Sequence, residues 1–113
     1  MSSRSSKPYI PTGMGEVRDF VGSMVLGAPR FVDKSGFFPD RNVNSEFFAL
    51  TEGFKTIQRK LGEDNYQRVV ALAQRARAHF EADPDDTTGD TTKGLECLME
   101  IEDILKAAAR RKR

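Results

Sequence analysis

Between Ser45 and Phe80 the chain carries two apolar stripes separated by one glycine, and this pattern constrains its fold more than any other feature. Phe47, Leu50, Phe54, Ile57 and Leu61 recur at spacings of three and four, and Tyr66, Val69, Ala73, Ala76 and Phe80 repeat the rhythm after Gly62. Such spacing puts each set on one face of an α-helix. Gly62 stops the first helix, with Asn44 or Ser45 as its N-cap. Asp64 and Gln67 have capping-box spacing for the second. A link this short between amphipathic helices predicts an antiparallel helical hairpin.

Two further helices flank the hairpin. Met14, Val17, Val21 and Met24 share a face over 14–26, and Gly27 followed by Pro29 ends that helix. Pro84 ends the hairpin, and Thr87 with Asp90 has the [ST]-x-x-[DE] spacing of a helix start near Thr88. Leu98, Ile101, Leu105 and Ala108 then form a stripe supported by Leu95 and Ile104. Segment 28–43 reads as irregular. DKSG (Asp33–Gly36) has turn chemistry, and a short hairpin of Arg30–Val32 with Phe37–Phe38 is one reading of it. The expected fold is therefore all-α: a three- to four-helix bundle with a central antiparallel hairpin. Residues 1–13 are read as a disordered tail and 14–113 as one helical domain. At 113 residues, folding buries roughly two-thirds of the surface that the unfolded chain exposes, enough for one core without staples.

The residue inventory narrows the chemistry. His79 and Cys97 are the chain's lone histidine and lone cysteine, and neither has a flanking nucleophile signature. They read as an edge histidine and a packed thiol. One cysteine forms no internal disulfide, which suits a reducing compartment. The run DPDDTTGDTTKG (Asp83–Gly94) invites comparison with a calcium loop. Counted from Asp83, Thr88 stands where Gly belongs and Gly94 where the bidentate Glu belongs. Counted from Asp85, Asp90 displaces the Gly. No phosphate loop is present. No stretch reaches the roughly 20 apolar residues of a membrane span, and nothing at the N-terminus resembles a signal peptide. The expectation is a cytoplasmic, non-enzymatic protein without metal or cofactor.

Binding features remain. Net charge is +1, so no global field draws nucleic acid or membrane. Locally, Glu81, Asp83, Asp85, Asp86 and Asp90 fall within ten residues that contain no base. They read as an exposed loop whose Asp83, Asp85 and Asp86 are dispensable for stability. The same charges could steer a basic partner. Phe37 and Phe38, outside the periodic helices, are a second candidate anchor. The partner-binding candidates are thus Asp83, Asp85, Asp86, Asp90, Phe37 and Phe38. The basic end, Arg110–Arg113, complements a helix dipole. It carries the alternative reading of a nucleic-acid-associated helical protein, and a homodimeric regulatory subunit is a third.

Residues 47–106, FFALTEGFKTIQRKLGEDNYQRVVALAQRARAHFEADPDDTTGDTTKGLECLMEIEDILK, resemble the small all-α immunity proteins of bacterial toxin systems in size, helical hairpin, acidic loop and lack of a catalytic set. The resemblance covers about half the chain. It implies stoichiometric binding of a cognate toxin inside the producing cell.

Overall fold

The stripes become five helices in the computed structural model, which describes residues 10–31 and 42–111. They are α1 (Gly13–Gly27), α2 (Val43–Thr56), α3 (Gln58–Leu61), α4 (Glu63–Ala82) and α5 (Asp90–Arg111), with no strand among the described residues. The α4–α5 pair makes the most extensive helix contact; α1 lies against α5 and α2, and α2 against α4. Every stripe residue of α2 to α4 except half-buried Tyr66 is buried, as are Leu98, Ile101, Leu105 and Ala108 of α5.

The helix starts differ from those expected. The N-cap of α2 is Asn42, whose Oδ1 accepts from the Ser45 amide at 3.0 Å while Ser45 Oγ accepts from the Asn42 amide at 2.9 Å. Two orphan donors are satisfied reciprocally, so Ser45 is the third helical residue, not the cap. Between α2 and α3 the backbone departs from the helix at Ile57 (φ −118°, ψ 14°), although its side chain stays in the stripe. At α4 the cap is Gly62, with φ 82°. Gln67 Nε2 donates to Glu63 Oε2 at 2.7 Å instead of forming a box with Asp64. Helix α5 opens at Asp90, two residues beyond Thr88.

Residues 10–13, assigned to the tail from sequence, belong to the folded part, with Gly13 opening α1. Pro11 is buried, and the Gly13 amide donates to Thr56 Oγ1 at 3.3 Å. A Cβ on Gly53 would lie 2.9 Å from Pro11 Cγ, so glycine inside α2 is what lets this segment lie against the helix. Residues 1–9 lie outside the described residues.

Phe31 leaves the irregular segment for the core. It has a left-handed φ of 62° rather than a strand conformation, and it is 2% exposed. Its ring meets Phe80 edge-on at 5.2 Å and Phe47 at 5.7 Å. Aromatic burial with favourable edge geometry offsets the backbone strain of a bulky residue at positive φ. Phe80 is in turn pressed onto Gly94 of α5, where a Cβ would approach its ring to 2.5 Å. Gly94→Ala is therefore expected to destabilise the fold by about 1–3 kcal/mol, the usual consequence of overpacking. Alanine's better helix propensity recovers under about 1 kcal/mol of that. A urea titration measures the net loss. An unchanged midpoint would show that Phe80 yields freely.

Candidate acidic turn and its anchors

The ten-residue acidic stretch is not a uniformly solvated loop. Its first turn residue, Asp83, follows the last residue of α4 and is 1% exposed. Oδ1 accepts from the amides of Thr87 (2.7 Å) and Thr88 (3.1 Å), and Oδ2 accepts from the amide of Thr91 (3.0 Å). Thr91 Oγ1 returns a bond to the Asp83 carbonyl at 3.1 Å. One carboxylate thus closes α4, shapes the turn and satisfies an orphan amide in the first turn of α5. Burial alone would raise the Asp83 pKa, but the three amides hold it far below the ordinary carboxylate range. Both oxygens point at N–H donors, an arrangement that suits an anion's cap and not a cation's ligand.

This corrects the reading of the stretch as an exposed loop. Asp83 is no exposed docking charge, and its bonds to three backbone amides make a contribution to stability the expected outcome in place of dispensability. The signal was present in the sequence as Asp83 followed by Thr87, Thr88 and Thr91, but a run of acids conceals a buried one.

The other acids of the stretch differ in accessibility. Glu81 pairs with Arg77 Nε at 3.1 Å across one helical turn. Asp90 is half-buried; Oδ1 lies 3.0 Å from His79 Nδ1, and Oδ2 accepts from Thr88 Oγ1 at 2.9 Å. These bonds, His79 first, lower the Asp90 pKa. Asp85 is ion-paired with Arg30 yet its side chain remains 68% exposed. Arg30 Nε also donates to the Pro84 carbonyl at 3.0 Å, so the chain after α1 is tied to the α4–α5 turn. Asp86 is exposed and has a left-handed φ of 58°. The structure therefore brings Asp85 and Asp86 to an exposed apex that Asp83 and Arg30 fix from beneath. Phe37 and Phe38 lie outside the described residues.

The remaining chemical candidates are Cys97 and His79. Cys97 is buried on α5, and burial pushes its thiol pKa up, which keeps it in the unreactive neutral form. His79 is engaged with Asp90. Among the described residues no group of His, Cys, Asp or Glu is arranged to hold a metal ion. No described helix is long and apolar enough to cross a membrane. Sequence reasoning missed Arg18, Arg30 and the exposed apolar residues Leu26, Phe48 and Met99. Arg30 carried no signal, because its role depends on how α1 meets the α4–α5 turn. Neither a protein-family model, nor a curated protein, nor a solved structure matches this chain.

Proposed function

We propose that this chain is a non-enzymatic protein-binding module that docks a basic partner through the acidic apex of its α4–α5 turn. The observation that carries the reading is the anchored apex: Asp83 and Arg30 hold the turn while Asp85 and Asp86 stay exposed. A preorganised charged surface loses little entropy on docking and steers association. The resemblance of 47–106 to immunity proteins supplies the partner class, a cognate bacterial toxin neutralised in the cytoplasm by stoichiometric binding. In this reading the scaffold is a three- to four-helix bundle, with the antiparallel hairpin of 45–80 as one half of its packing.

The test starts from the partner, isolated by affinity capture from the native organism and identified by mass spectrometry. Asp85→Asn with Asp86→Asn is then expected to slow association about tenfold at low salt and to flatten its salt dependence. Stability should stay close to wild type, since exposed ion pairs contribute at most about 1 kcal/mol. Unchanged association rates at low and high salt would remove the apex from the interface. Exposed Phe48 and Met99, and then Phe37 and Phe38, would become the next anchors to test.

A further inference from the structure

We draw no further inference here: the strongest candidate, the shallow surface patch that Arg18 of α1 forms with Lys106 and Arg110 of α5, carries nothing because the Arg18 Nε is sealed from solvent and nothing in the structure shows what the three cations bind.

Discussion

Phe54→Ala is expected to destabilise the protein by about 3–5 kcal/mol, the range for emptying a buried aromatic site. Phe54 is fully buried in the middle of the α2 stripe, within the one core cluster that α1, α2, α4 and α5 share. The cluster around it is built from bulky side chains, with Leu50, Ile57, Leu61 and Phe80 all almost fully buried. A small domain has a total stability of about 5–15 kcal/mol. The variant should therefore lose a large share of it and unfold at much lower urea. A urea midpoint close to wild type would show that Phe54 is not where the core is tight.

The stripes were legible because a helix face in a small core leaves little choice. Phe47, Leu50, Phe54, Ile57 and Leu61 are spaced for burial and are buried. That same regularity hid the break between α2 and α3. Ile57 keeps its side chain in register while its amide bonds to the carbonyls of Phe54 and Lys55 instead of Gly53. Side-chain periodicity reports faces and is blind to a local change of backbone hydrogen bonding.

Contacts between distant segments were less legible still. Nothing in the local pattern around Phe31 marks it for the centre of an aromatic trio, nor Arg30 for the Pro84 carbonyl fifty-four residues away. Arg18 looks like one solvated charge on α1 until packing places it beside Lys106 and Arg110. Of the candidate binding residues, Asp85 and Asp86 are exposed, whereas Asp90 is half-buried through its bonds to His79 and Thr88. Asp83 departs because its carboxylate serves backbone amides, a use that charge counting does not register.

Asp83→Asn is expected to lower the melting temperature by about 10 °C or more, given the sensitivity of a domain this size and the loss of several charge-assisted bonds. An Asn amide retains one oxygen and turns an NH2 group toward backbone N–H donors, so at least one of the Thr87, Thr88 and Thr91 amides loses its acceptor. The α4–α5 junction then opens where Arg30 also docks. The pH dependence identifies the cause. The folded Asp83 pKa lies below the unfolded value, so the carboxylate binds a proton less readily in the folded state. Its stabilisation is fully present above the unfolded carboxylate pKa of about 3.9 and is lost as pH falls from there toward the folded value. Wild-type stability should thus decline steeply below about pH 4, and Asp83→Asn should remove much of that decline while lowering the plateau. Asp90→Asn tests the assignment, because the Asp90 pKa is also lowered, chiefly by His79. That variant should keep the part of the acid decline that belongs to Asp83. Melting curves of the three proteins from pH 2 to pH 7 make the comparison, over the range in which carboxylates titrate. An acid decline unchanged in Asp83→Asn, or a melting temperature matching wild type at neutral pH, would show that the buried carboxylate does not clasp α4 to α5.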